Sequence, residues 1–387
     1  MAINGIFLRL SGNYLSFFIY LGVFVPFWAM WLKSKGLSSS EIGIIIAIPH
    51  LMKVFIAPVI SQAADKAQQY WRPLFICASL SVIFSSLYFI ASGFWQIFFI
   101  TFAVNMFMPA LMPLLETITL RQAIKHKLNY GPIRSFGSLS FILAAVFFGW
   151  VVKNNSVDFV IWATWGSLVV ILITVFFLPR GSNRICENSQ IEKESHFPLK
   201  KLLLNPQFVL FLLTVGFLQM SHGVYYSMGS IYWQDNAIDE DIIGLLWAIG
   251  VAAEILVFIF LGGFLTKITP RYIFAFIGLV GAIRWAVTAM TLSLPLLFFI
   301  QIFHGLTYGA THLGAINYLS SRIPDQYAGS AQSLYTALPL GLGMALSTYF
   351  GSVLYEKFAG GAYYAMSLLC ILAILVSLKR QSIEKLS

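Results

Sequence analysis

Charge is what this chain has least of: Asp, Glu, Lys and Arg make up 10% of its 387 residues, whereas a soluble domain carries about 25%. Cysteine is almost as scarce. Cys77, Cys186 and Cys370 are far apart, which excludes a disulfide framework and a cysteine-based metal motif. Neither His-Glu-x-x-His nor Gly-x-Ser-x-Gly occurs, so the usual signatures of a zinc protease or a serine hydrolase within the membrane are missing. No run alternates apolar and polar residues, which argues against a transmembrane barrel. No small-residue cleavage site follows the first apolar run, and that run is too long for a signal-peptide core, so it reads as a helix that stays. Polar stretches are also too short for a soluble signalling domain, which sets a receptor aside.

What the chain has in quantity is apolar runs of about 20 residues, each able to cross a bilayer as a helix. Twelve can be counted: 10–32, 42–60, 73–91, 95–119, 132–152, 159–178, 208–233, 242–265, 272–292, 294–319, 331–354 and 362–378. The fold class expected is an all-α membrane protein. The net charge of +9 orients it rather than attracting nucleic acid. With the N-terminus inside, 17 of the 24 Lys and Arg fall on the cytoplasmic side, while Lys33, Lys35, Lys153 and Lys357 fall outside. The positive-inside rule then places both termini in the cytoplasm.

The longest polar segment, 179–206, separates six runs from six and reads as a cytoplasmic linker between bundles at 1–178 and 207–387. The two halves resemble each other at a constant offset of 201 positions: Gly22-Val23 meets Gly223-Val224, Ile42-Gly43 meets Ile243-Gly244, and Ala47-Ile48 meets Ala248-Ile249. At the same offset Lys53 meets Glu254. A parallel repeat of this kind belongs to transporters that bind substrate near the midplane between their halves.

Several charges sit where a bilayer should exclude them. Glu116 lies near the end of run 95–119 and Arg134 near the start of run 132–152, joined by a short basic turn. Lys53, Glu254, Arg284 and His304 lie about 15–18 Å along their helices, near mid-membrane at 1.5 Å per residue. A charge in that position costs at least about 3 kcal/mol, so it pairs or faces an aqueous cavity. Tyr225 and Tyr226, beside His222, are candidates for an apolar cavity wall. Structural readings stand beside these: Glu116 with Arg134 as a bridge between two helices, Lys53 with Glu254 as a latch, Arg284 as a packing charge, His222 and His304 as hydrogen-bonded core residues. His50 and His312 carry weaker signals, and Trp28, Tyr232, Trp233, Trp247 and Trp285 are equally compatible with lipid contact.

Three stretches carry a resemblance: Gly22-Val-Phe-Val-Pro26-Phe-Trp-Ala-Met-Trp31, the Glu116 to Arg134 spacing with Tyr130-Gly131 and Phe136-Gly137, and the set Ser221-His222-Gly-Val-Tyr225-Tyr226, Ala253-Glu254, Arg284-Trp285. They are similar to the major facilitator superfamily, in the branch of proton symporters that holds the lactose and 3-phenylpropionate permeases. That resemblance implies two pseudo-symmetric six-helix bundles and alternating access. It makes Glu116 and Arg134 substrate-binding candidates and sets Arg284, His304 and Glu254 at the lactose branch's proton-coupling positions; beside it, the residues themselves add Tyr225, Tyr226 and Arg284 as substrate-binding candidates and His222 as a proton-coupling one. Lys53 becomes an interdomain charge, and Asp65-Lys66 resembles the cytoplasmic gate motif, with Ser61 and Gln68 in place of its glycines. Thr307 stands where the lactose branch has a proton-carrying glutamate. The activity that the resemblance implies is proton-coupled uptake of a small aromatic carboxylate through a bacterial inner membrane, or alternatively of a sugar or nucleoside. No cofactor, metal or nucleic acid is expected, the partners are the substrate and the bilayer, and the protein is expected to be a monomer.

Overall fold

The computed structural model describes residues 2–179, 198–265 and 268–379. Within them every regular element is helical. In order they are α1 (Ala2–Ser34), α2 (Ser39–Ala67), α3 (Trp71–Ser85), α4 (Phe94–Asn105), α5 (Met108–His126), α6 (Tyr130–Asn154), α7 (Phe159–Phe176), α8 (Pro198–Leu204) and α9 (Pro206–Met220). Then come α10 (Gly223–Asp235), α11 (Glu240–Phe260), α12 (Gly262–Leu265), α13 (Pro270–Met290), α14 (Leu294–Ile302), α15 (Thr311–Arg322), α16 (Asp325–Ala337), α17 (Met344–Phe358) and α18 (Ala362–Leu378). Most of the expected linker (180–197), Cys186 and Lys267 lie outside the described residues.

Eleven continuous helical stretches are long and apolar enough to span a bilayer. The last, Gln326–Leu378, has 53 residues, which is about 80 Å of helix against a hydrocarbon core of about 30 Å. It turns back at Ala359, whose φ of +48° ends α17 before a short 3-10 turn leads into α18. It therefore supplies two of the twelve runs. Large apolar side chains cover the outside, among them Ile90 at 80% and Phe260 at 71% exposure, as a surface facing lipid requires. The protein is a multi-pass integral membrane protein.

Local chemistry sets the helix ends. Ser38 and Glu41 form a reciprocal capping box that starts α2, and the Asn129 side chain accepts from the Gly131 N–H to start α6. Run 95–119 divides at Met106–Phe107 into α4 and α5, with proline in the first turn of α5. Run 208–233 divides at Ser221–His222 into α9 and α10. Two π-helical turns, Gly305–Ala310 and Leu338–Gly343, interrupt the helices of the second half; such turns concentrate at functional sites.

The chain forms two compact units, Met1–Glu187 with Trp233–Ala248 and Asn188–Tyr232 with Ile249–Ser387. In the first, α1 packs along α6 and α7. Hairpin 233–248 joins this unit through exposed ion pairs of Lys33 with Asp235 and of Lys153 with Asp239 and Asp241 (2.8 and 2.9 Å); Lys35 pairs with Asp158 at 2.7 Å. Gly149 and Gly244 let backbones meet there: a Cβ on Gly244 would come within 2.2 Å of the Ala145 carbonyl oxygen. In the second unit α13 packs along α18, around a core that includes Phe208, Phe211, Phe274 and Tyr335. Lys53 and Glu254 are each the fifteenth residue of their helices, α2 and α11, so the offset read from the sequence marks equivalent helical positions.

Candidate functional site

In the first unit, three helices bring charges together. Glu116 comes from the middle of α5, Lys53 from the middle of α2, and Arg134 from the second turn of α6. Glu116 lies within electrostatic reach of both cations. Neither forms an ion pair with it within 4 Å among the described residues, so the expected helix-to-helix bridge is not a direct contact. The Arg134 guanidinium instead lies over the Phe18 ring, 4.3 Å from its centroid, with the Tyr14 ring at 5.5 Å. Gly137 makes this possible: a Cβ there would meet Phe18 Cδ2 at 2.8 Å and an Arg134 terminal nitrogen at 3.1 Å. Arg134 and Glu116 are half-buried and Lys53 is exposed. Among the described residues, no protein acceptor takes a hydrogen bond from the Arg134 guanidinium, although it carries five N–H donors.

In the second unit a cluster forms around a buried arginine bonded to its neighbours. Arg284 on α13 is 1% exposed. It donates to Thr307 Oγ1 at 2.8 Å, Gln301 Oε1 at 2.9 Å and His304 Nδ1 at 3.1 Å. Its guanidinium also stacks 4.2 Å from Trp285 and 5.1 Å from Tyr225, and the Trp285 indole is held by its N–H bond to Ser221 at 3.1 Å. His304 Nε2 faces Glu254 Oε1 at 2.9 Å. His222, at the break between α9 and α10, faces Thr307 Oγ1 through Nε2 at 3.2 Å and the Leu218 carbonyl through Nδ1 at 3.1 Å. Close helix approach builds this cluster. A Cβ on Gly305 would lie 2.5 Å from the Ala253 carbonyl oxygen, and one on Gly250 3.3 Å from the His304 ring. Only Glu254, with 16% side-chain exposure, and the half-buried Tyr226 and Tyr308 reach the surface of the cluster.

The other expected residues are placed as follows. Asp65 and Lys66 lie in the last turn of α2 rather than in a loop. Asp65 accepts from the Tyr70 hydroxyl at 2.7 Å, which in turn accepts from Arg121 at 2.7 Å beneath its guanidinium. Burial and the bond to Asp65 push the Tyr70 hydroxyl up to about 12. Lys66 is exposed beside them. His312 bonds the core Tyr335 hydroxyl at 2.9 Å. Trp28, Tyr232, Trp233, Trp247 and Trp285 are buried, which removes the lipid-facing reading for them. Sequence reasoning missed Gln301, Phe18, Tyr14 and Arg121 as partners, and treated Thr307 only as a departure. A signal existed for two of these, since Gln301, His304 and Thr307 recur every three residues in an otherwise apolar run.

A family profile decides the relationship: the one described as the MFS_1 like family matches residues 7–366. The chain belongs to this branch of the major facilitator superfamily. Among its relatives, a probable 3-phenylpropionic acid transporter of Escherichia coli (strain K12) is 26% identical over 94% of this chain and 95% of its own. A maltose permease of Geobacillus stearothermophilus is 24% identical over 95% and 93%. The crystal structure of the nucleoside transporter NupG aligns with a TM-score of 0.82 at 15% identity, covering 97% of this chain and all of that one. That last likeness concerns the fold.

Proposed function

We propose that this major facilitator transporter takes up a small aromatic carboxylate together with a proton, by alternating access, in a bacterial inner membrane with both termini cytoplasmic. The observation that carries the substrate class is the contrast between the two membrane arginines. Both of Arg284's terminal nitrogens already serve Thr307, Gln301 and His304, whereas the Arg134 guanidinium lies over an aromatic ring with no protein acceptor bonded to it among the described residues. Planar paired N–H groups suit a carboxylate. The carboxylate is therefore assigned to Arg134, and Phe18 and Tyr14 supply aromatic surface beside it. Charge balance supports the same choice: Lys53 and Arg134 give the first unit two cations against one Glu116, so a monoanion neutralises the group. The E. coli relative, named for 3-phenylpropionic acid, agrees with an aromatic acid.

Coupling is assigned to Glu254, the carboxylate of the buried cluster in the second unit and its most exposed charged member, with His304 and His222 behind it and Tyr225, Tyr226 and Tyr308 around it. The coupling ion is the proton, no cofactor takes part, and the working form is a monomer. A proton-linked sugar or nucleoside permease is the second reading, favoured by Glu116 as a hydroxyl acceptor and by the maltose relative. A thermal-shift screen of the purified protein separates the two, because a ligand of the folded state raises its apparent stability. Aromatic acids are expected to raise the melting temperature of the native protein and not of Arg134→Gln. Stabilisation by sugars or nucleosides alone overturns the acid reading.

A further inference from the structure

Hydrogen-bond direction in the second unit is set by chemistry that leaves little freedom. Arginine has donors and no acceptor. His304 Nδ1, 3.1 Å from an Arg284 terminal nitrogen, is therefore the accepting nitrogen. In neutral imidazole the proton then sits on Nε2, where it points at Glu254 Oε1, 2.9 Å away. The same logic applies on the other branch. His222 Nδ1 faces two backbone carbonyls, Leu218 at 3.1 Å and Gln219 at 3.3 Å; carbonyls only accept, so Nδ1 carries the proton. His222 Nε2 is left to accept from the Thr307 hydroxyl at 3.2 Å, and Thr307 Oγ1 accepts from Arg284 at 2.8 Å.

We propose that Arg284 is the origin of a one-way hydrogen-bond network that holds His304 as the Nε2–H tautomer and His222 as the Nδ1–H tautomer, leaving Glu254 as the group that receives the transported proton. The histidines are then positioning residues rather than carriers. The role of Glu254 rests on the proton-coupled reading above; the two tautomers do not.

Adding a proton at each position shows why the network selects the carboxylate. On Glu254 the proton takes one carboxyl oxygen, and the other still accepts from His304 Nε2–H, so the bonds from Arg284 to His304 and from His304 to Glu254 persist. On His304 the only site is Nδ1, where a new N–H would oppose an arginine N–H and set two cations side by side. On His222 the only site is Nε2, which would turn Thr307 from its ring toward the His304 carbonyl, a weaker contact at 3.5 Å. Glu254 is also the member of the network nearest the surface, since Arg284, His304, His222, Gln301 and Thr307 are at most 3% exposed. The groups facing Glu254 within its unit include His304, Arg284 behind it, Tyr225 and Tyr226 from α10, and Tyr308 from the π-turn. Among these groups Arg284 is the formal cation, two hydrogen bonds away.

Two measurements test this. Nitrogen NMR of purified protein carrying 15N-histidine, assigned with His304→Gln and His222→Gln, should show one protonated nitrogen on each ring: Nε2 for His304 and Nδ1 for His222. Nδ1–H on His304, or both of its nitrogens protonated, overturns the network whatever the protein transports. In vesicles with an imposed pH gradient and 3-phenylpropionate as the probe, His304→Gln keeps an acceptor and a donor but cannot gain a proton. It should slow uptake about tenfold, the scale of one imperfect hydrogen bond, while accumulation still follows the gradient. Glu254→Gln should exchange but not accumulate. Accumulation lost in His304→Gln with exchange intact would make His304 the carrier and refute the assignment. If the native protein binds the probe yet never responds to the gradient, proton coupling falls, while the tautomers stand or fall by NMR.

Discussion

Arg134 and Arg284, both within spanning helices of this protein, solve the cost of a charge in opposite ways. Arg284 is sealed among Thr307, Gln301 and His304 and stacked on Trp285; three of its donors bond inside the protein. Arg134 is half-buried and rests on Phe18, with Gly137 left bare beside it. The difference separates two meanings of a charged residue in a membrane. An arginine bonded to its neighbours organises them, whereas one that no protein acceptor meets among the described residues is available to something that arrives.

The sharpest way to break this comparison is to remove each arginine. Arg284→Gln should leave its acceptors undersatisfied and remove the cation two hydrogen bonds from Glu254, at a cost of about 3–5 kcal/mol. Expect poor yield and a strongly lowered melting temperature in detergent; a normal melting curve would show that Arg284 organises nothing. Glu254→Gln comes next: proton-driven accumulation should disappear while substrate exchange persists, and accumulation at the native level would take Glu254 out of coupling. Arg134→Lys should preserve expression and melting temperature yet weaken aromatic-acid binding about 10- to 100-fold, because an ammonium loses the planar two-pronged geometry. The double variant Glu116→Gln with Arg134→Gln should likewise fold, since removing opposite charges together is often neutral, and should not bind; native uptake by it would return the pair to scaffold. The smallest effect is expected from Gly137→Ala. Its Cβ would press on Phe18 at 2.8 Å and cost about 1–3 kcal/mol of stability, and by moving the ring from under Arg134 it should lower affinity a few-fold in the same titration. Unchanged affinity would mean that the Phe18 platform does not matter.

Much of the architecture was legible because spanning a bilayer is a local requirement: about 20 apolar residues suffice, whatever they pack against. Hence the twelve runs and the Lys53–Glu254 equivalence could be read directly. Where local reading failed, the cause was backbone conformation. Windows of hydropathy do not reveal that α4 ends at Asn105 or that Asp65 and Lys66 still belong to α2, whose cap is Gln68 with φ of +50°.

By itself, then, the sequence determined the membrane class, the spans and the short roll of charges that a bilayer tolerates only with a reason. Tertiary structure decided what each charge does. Gln301, His304 and Thr307 reach Arg284 from another helix, while Phe18 and Tyr14 reach Arg134 from more than a hundred residues away. A guanidinium is the same group in both places. Whether it is filled or open depends on acceptors brought within about 3 Å, and only the packing of distant helices supplies them.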